Sequence, residues 1–131
     1  MSHFSRIRTE LADIGLLKKS LEDLGYKIEE HAKVRGFGGQ LTKAEIVVRM
    51  PNGYDLGFRK SGDTLELVAD LWGLAVDKDE FLETVKQRYA RNAVINQATQ
   101  EGFQIVKEET LDDGSIRIVC ERNVEERVQA I

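Results

Sequence analysis

Two glycines, each set between an apolar helical stretch and an aromatic residue, constrain this chain more than any other feature. Leu21-Glu22-Asp23-Leu24-Gly25-Tyr26-Lys27-Ile28 and Ala98-Thr99-Gln100-Glu101-Gly102-Phe103-Gln104-Ile105 both read as a helix end, a glycine, an aromatic residue and an isoleucine two positions on. Glycine adopts the left-handed conformation that closes a helix without a Cβ penalty. The chain is therefore expected to leave a helix and enter a strand twice, and each strand is followed by a glycine turn, at Gly53 or Gly114. The common use of glycine at helix ends accounts for most of the match, and internal duplication is the alternative. Both readings give one architecture, an α+β fold. A mostly antiparallel sheet of about six strands carries two helices on one face, in the order α-β-β-β-β-α-β-β.

The elements follow from periodicity and turn chemistry. Asp13 is placed to cap a first helix whose Ile14, Leu17, Leu21 and Leu24 share a face. Residues 4–11 fit either a short strand or a separate helical turn. Residues 26–30 alternate as a half-buried strand, and 34–40 read as a loop. Residues 43–50 form the next strand, with Ala44, Ile46, Val48 and Met50 on one face. Pro51-Asn52-Gly53 is a tight-turn signal. Tyr54, Leu56 and Phe58 alternate in the returning strand, and residues 64–72 give a third, with Leu65, Leu67, Ala69 and Leu71 in register. Asp77 or Asp79 caps a second, longer helix bearing Phe81, Leu82, Val85, Tyr89 and Ala93. Phe103 and Ile105, with Lys107 as a candidate, share a face of the following strand. Ile116, Ile118 and Cys120 share a face of the last one. One domain is expected over residues 1–122, with a charged tail over 123–131, frayed or disordered.

Composition bounds the function. The chain has 131 residues and a formal net charge of -4, which suits one domain and argues against a nonspecific nucleic-acid binder, since that affinity comes from phosphate neutralisation. No apolar run has the length of a membrane span or of a signal-peptide core, so a cytoplasmic or stromal location is expected. The one cysteine, Cys120, cannot form an internal disulfide and reads as a buried, inert thiol. His3, His31 and Cys120 match no zinc spacing. Neither a metal site nor a cofactor is expected. Lys86, Arg88 and Arg91 are read as a solvated helix face.

With helices on one side, the opposite sheet face would present Glu45, Val47 and Arg49, then Asp55, Gly57 and Arg59, then Glu66, Val68, Asp70 and Trp72. A plain wet face with cross-strand ion pairs is the ordinary reading. The functional reading is a binding face, because an exposed Trp beside Arg has the composition of an interface anchor. The candidate site is Arg35, Phe37, Arg49, Asp55, Arg59, Glu66, Asp70 and Trp72. Arg35 and Phe37 come from the glycine-rich loop Arg35-Gly36-Phe37-Gly38-Gly39-Gln40, which lacks the Lys and following helix of a P-loop. No catalytic residue is nominated. Asp55, Glu66 and Asp70 could form an acid–base pair only if their environments differed, and Arg49 and Arg59 are better placed to neutralise them.

Val34-Arg35-Gly36, Asn52-Gly53-Tyr54-Asp55-Leu56-Gly57-Phe58, Glu66-Leu67-Val68-Ala69-Asp70, Trp72-Gly73, Gln87-Arg88-Tyr89-Ala90 and Asp113-Gly114-Ser115-Ile116-Arg117 together resemble the uncharacterised family of hypothetical chloroplast reading frame thirty-five, found in cyanobacteria and some algal plastid genomes. The resemblance covers nearly the whole domain, from Met1 to about Arg122. Leu71 stands where a second aromatic is expected, and Phe37 where Tyr is. The resemblance implies a soluble protein in a photosynthetic setting and an accessory role around iron–sulfur or photosynthetic electron carriers. It supplies no fold, substrate or catalytic residue. The chain lacks a cluster-ligating cysteine set, so any such cluster would belong to a partner.

The leading expectation is a non-enzymatic, partner-binding accessory protein that contacts another protein or a second copy of itself. The alternative is a small-molecule-binding domain or enzyme with a carboxylate-lined pocket beneath the glycine-rich loop.

Overall fold

A computed structural model gives the fold and describes residues 3–122. The elements are β1 (Ser5–Arg8), α1 (Ile14–Asp23), β2 (Ile28–Arg35), β3 (Leu41–Val48), β4 (Leu56–Ser61), β5 (Thr64–Ala69), α2 (Lys78–Gln100), β6 (Phe103–Thr110) and β7 (Ile116–Arg122). A single 3-10 turn, Phe37–Gly39, joins β2 to β3. The α+β class and the expected element order hold, with one strand added at the start. The expected tail, 123–131, lies outside the described residues. No helix among the described residues is long and apolar enough to cross a membrane.

The chain forms two compact units, one up to Tyr89 and one from Ala90 onward. In the first, all strand pairs are antiparallel in the order β1-β5-β4-β3-β2. α1 begins where Asp13 Oδ1 accepts the Leu16 N–H at 3.0 Å, and α2 where Asp77 Oδ1 accepts the Asp79 and Glu80 amides at 2.9 and 3.0 Å. Each cap satisfies amides that a first helical turn leaves unpaired. The main core collects Leu17 and Leu21 from α1, Ile46 and Val48 from β3, Leu56 and Phe58 from β4, Leu65 and Leu67 from β5, and Phe81 and Val85 from α2. Burying each such side chain contributes about 1.5–3 kcal/mol. Tyr26 meets Phe81 edge-to-face with centroids 5.3 Å apart, and Phe58 stacks on it at 6.2 Å.

The opposite face of this sheet is not wet. Val47 and Val68 are buried, and a second cluster joins Val34, Ala44 and Val47 with Ala32 and Phe4. The chain supplies its own cover because Gly57 has no side chain. A Cβ there would lie 2.3 Å from Val34 Cγ2 and 3.0 Å from the Ala44 Cβ, so only glycine lets the end of β2 curl over β4. His31 is the one non-glycine residue with positive φ among the described residues, at 49°. It interrupts the ladder between the pairs Glu30↔Ile46 and Ala32↔Ala44. Ala44 packs with Val34 and Val47 and does not share the Ile46 face expected from alternation. His31 lies inside β2.

β5 stops at Ala69, so Leu71 leaves the register expected of it and is exposed. Tyr54 likewise precedes β4 and lies outside the strand. In the second unit, β6 and β7 pair as their own two-stranded ribbon. A bulge between Ile105 and Lys107 sets Lys107 opposite Val119, off the Ile105 face. Cys120 is only half-buried. Arg91 of α2 holds β6 through a two-pronged pair with Glu108 at 2.9 and 2.8 Å, while Arg88, in the first unit, reaches Asp23 at 3.0 Å. Two members of the supposedly solvated basic face are thus paired.

Gly57→Ala is expected to lower stability by about 1–3 kcal/mol, the usual cost of overpacking a filled site. Urea unfolding measures this. A Val34→Ala background should recover part of the loss, because it removes the clashing methyl.

Candidate functional site

Asp55 follows the Asn52–Gly53 turn and is fully buried. Its Oδ2 accepts the Arg35 amide (3.0 Å), Arg35 Nε (2.8 Å) and Arg49 Nη1 (2.8 Å). Its Oδ1 accepts Arg35 Nη2 (2.9 Å) and the Met50 amide (2.9 Å). Arg35 grips it with two prongs, a geometry its planar fork allows. The Asp55 amide returns a bond to the Arg35 carbonyl at 3.1 Å. Arg35 Nη2 also reaches the Met50 carbonyl, and Arg49 extends the network to Glu29 and to the Lys33 carbonyl. One carboxylate therefore joins the end of β2, the end of β3 and the entry to β4.

The electrostatics follow from this geometry. Burial by itself would raise the Asp55 pKa, but the bonds from Arg35, from the Met50 and Arg35 amides and from Arg49 outweigh it and hold the group at about 2, below the ordinary 3.8. The same bond to Asp55 raises Arg35. Asp55 is thus a saturated anion with little capacity to take a proton from a substrate.

Asp70, just past β5, is also fully buried. Its Oδ2 accepts the Phe37 amide at 3.0 Å and its Oδ1 the Trp72 amide at 3.2 Å. It clips the Phe37–Gly39 turn to the segment after β5. Phe37 and Trp72 consequently meet edge-to-face, with centroids 5.4 Å apart and planes at 82°, and Tyr54 completes the group 6.2 Å from Trp72. Trp72 remains 73% exposed and Phe37 45%. Beneath them, Asn52 Nδ2 donates to the Gly73 carbonyl at 2.8 Å and Asn52 Oδ1 accepts the Tyr54 amide at 3.1 Å. Gly73 lies so close to the Tyr54 ring that a Cβ would fall 2.2 Å from it, and Gly36 is similarly pressed against Phe4 and Asp70.

The eight nominated residues fall into three groups. Arg35, Arg49 and Asp55 form the buried network. Phe37, Asp70 and Trp72 form the clipped aromatic group. Arg59 and Glu66 are a cross-strand pair, with Arg59 also donating to Thr42 and Arg6 standing 3.9 Å from Glu66. Asp55 and Asp70 do not line an open sheet face, as alternation suggested. They are buried, and their oxygens are spent on backbone amides and arginines. Sequence reasoning missed Tyr54, Asn52 and Gly73 as members of the group. The glycine directly after Trp72 was the available signal, since a glycine outside a turn often marks a close approach.

A family described as a protein of unknown function, DUF1257, matches residues 20–119. The chain is 40% identical over 126 residues to the uncharacterized protein ycf35 of Guillardia theta, covering 93% of this chain and 98% of that one. The ycf35 proteins of Cyanophora paradoxa and Pyropia yezoensis are 32% and 34% identical, with the same coverage of both chains. No solved structure matches. The chain belongs to the DUF1257 family, and its ycf35 relatives come from plastid-bearing organisms.

Asp55→Asn should cost about 1–3 kcal/mol, because it weakens the buried bonds to the Arg35 and Met50 amides while Arg35, half in solvent, and Arg49, still paired with Glu29, keep other partners. The wild-type carboxylate, with its folded pKa below its unfolded one, stabilises the fold above pH 3.8 by about 2 kcal/mol. That contribution disappears as the pH falls through about 2. Urea titrations between neutral pH and pH 2 should show the wild type losing it and Asp55→Asn lacking this limb.

Proposed function

We propose that this DUF1257 member is a non-enzymatic partner-binding protein and that Trp72, Phe37 and Tyr54 form its docking patch. The carrying observation is an indole 73% in solvent whose backbone is nevertheless clipped in place by the buried Asp70. An exposed aromatic side chain loses little entropy on binding when its main chain is already fixed, and tryptophan is the residue most enriched at interface hot spots. Leu71 adds apolar surface beside it, and the partly exposed Arg35 adds charge. The deep carboxylates support the patch and are not its contact groups.

The relatives from plastid-bearing organisms favour a cytoplasmic or stromal setting. In such a setting, proteins that carry iron–sulfur or photosynthetic electron carriers are the first partners to test, with self-association as the second possibility. The small-molecule reading has less support. It needed open carboxylates under the glycine-rich loop, and Asp55 and Asp70 are closed off.

Affinity capture from a cyanobacterial lysate should recover a partner set with the native chain that falls at least about tenfold with Trp72→Ala or Phe37→Ala, the scale of a hot-spot truncation. Both variants should keep a melting temperature near that of the wild type, since both side chains are substantially exposed. An unchanged partner set would remove the patch from consideration. A native chain that sediments as a dimer, with Trp72→Ala monomeric, would identify the partner as a second copy.

A further inference from the structure

We propose that a cavity of about 380 Å³ against β2, β3 and β4 binds a phosphate group carried by a small soluble molecule. The cavity is distinct from the aromatic patch in every lining residue. Its walls carry His31, Lys33, Lys43 and Arg59 against one carboxylate, Glu45, with Ala32 and Ala44 completing the lining.

Three local features converge there. Lys33 and Lys43 are directly opposed across the β2–β3 ladder. Like charges in that position repel, and among the described residues neither ammonium makes an ion pair. His31 holds a positive φ that a β-carbon disfavours, and such strain gathers at ligand-binding positions. Glu45 is already engaged, its Oε2 accepting the Lys60 amide at 3.0 Å, so it is held back from neutralising the lysines. An anion with several oxygens would relieve the repulsion between Lys33 and Lys43.

The chemistry selects phosphate. Two ammonium groups offer rotatable point-charge donors suited to phosphate oxygens, whereas Arg59, whose Nε and Nη2 already donate to Glu66 Oε1 at 3.2 and 3.1 Å and whose Nη1 donates to Thr42 Oγ1 at 3.3 Å, forms part of the wall. The volume exceeds that of a bare ion and falls in the range of small-ligand sites. Apart from His31 no ring lines the cavity, and the chain as a whole carries net charge -4, which disfavours a nucleic-acid strand that would need stacking platforms and a broad basic surface.

An amide NMR titration of the full chain with inorganic pyrophosphate at fixed ionic strength tests the assignment. Saturable shifts confined to residues 31–33, 43–45 and 59 are expected. Lys33→Gln/Lys43→Gln should weaken the apparent affinity at least tenfold, while Lys107→Gln, an exposed lysine of the second unit, should leave it unchanged. The same spectra show whether each variant is folded. Non-saturating shifts, shifts spread over all surface lysines, or an unaltered double variant would overturn the proposal. So would sedimentation with phosphatidate vesicles through the same two lysines when soluble pyrophosphate gives no saturable shift, because the site would then read a lipid surface.

Discussion

A buried carboxylate surrounded by donors organises the first unit of this protein. Asp55 receives five hydrogen bonds, from two arginine side chains and two backbone amides. Taking a carboxylate out of water is costly, and such a network adds little net stability compared with an apolar filling of equal volume. What it fixes is position. Its five donors come from the end of β2 and from residues just past β3, so these segments and the entry to β4 have one relative arrangement that satisfies the charge. Once β2 ends there, residues 36–40 must pass over the second sheet face, where Asp70 can take the Phe37 amide. The aromatic group is a downstream result of these two anions.

Covering both sides of the sheet changes where function can reside. Helices take one face and the curled end of β2, with Phe4, takes much of the other. A broad strand face is no longer available as a binding surface. What stays accessible lies in the connections, at Phe37, Tyr54 and Trp72, and in the gap where β2 breaks its ladder at His31. Binding groups placed on connections and steadied by a rigid sheet are a common solution in folded domains.

Much of this was legible in the residues. Asp13 and Asp77 cap the two helices, and Gly25 and Gly102 close them with φ of 87° and 85°. The three-stranded meander around Asn52–Gly53 and Ser61–Gly62 follows from alternation alone. The structure brings Arg35 to Asp55 and Phe37 to Asp70 and Trp72, but it buries the two carboxylates that alternation placed on an open face. Alternation reports which side of a strand a residue occupies and says nothing about what lies on that side. The missing fact was the curl of β2, and its only trace was Gly57, a glycine within a strand. Tyr54 and Leu71 were misplaced because side-chain bonds from Asn52 and Asp70 bend the chain before or after the hydrogen-bonded ladder, and a periodicity count does not see those bonds. The pairing of β6 with β7 as a separate ribbon depends on partner choice, which a pattern within each strand leaves open.

The first strand closes one edge of the sheet. β1 pairs with β5, matching Ser5 to Ala69, and the seam continues with Thr9 Oγ1 donating to the Leu65 carbonyl at 2.6 Å and the Leu65 amide to the Leu11 carbonyl at 2.8 Å. Every other neighbour in this sheet is reached through a local connection, whereas this pairing spans most of the first unit and carries the largest loop-closure entropy. β1 precedes β5 in the chain and has no other strand to pair with in this sheet. Through this pairing Ile7 packs against the main core. Paired there, β1 acts as a latch that covers an edge of β5 otherwise open to strands from other chains.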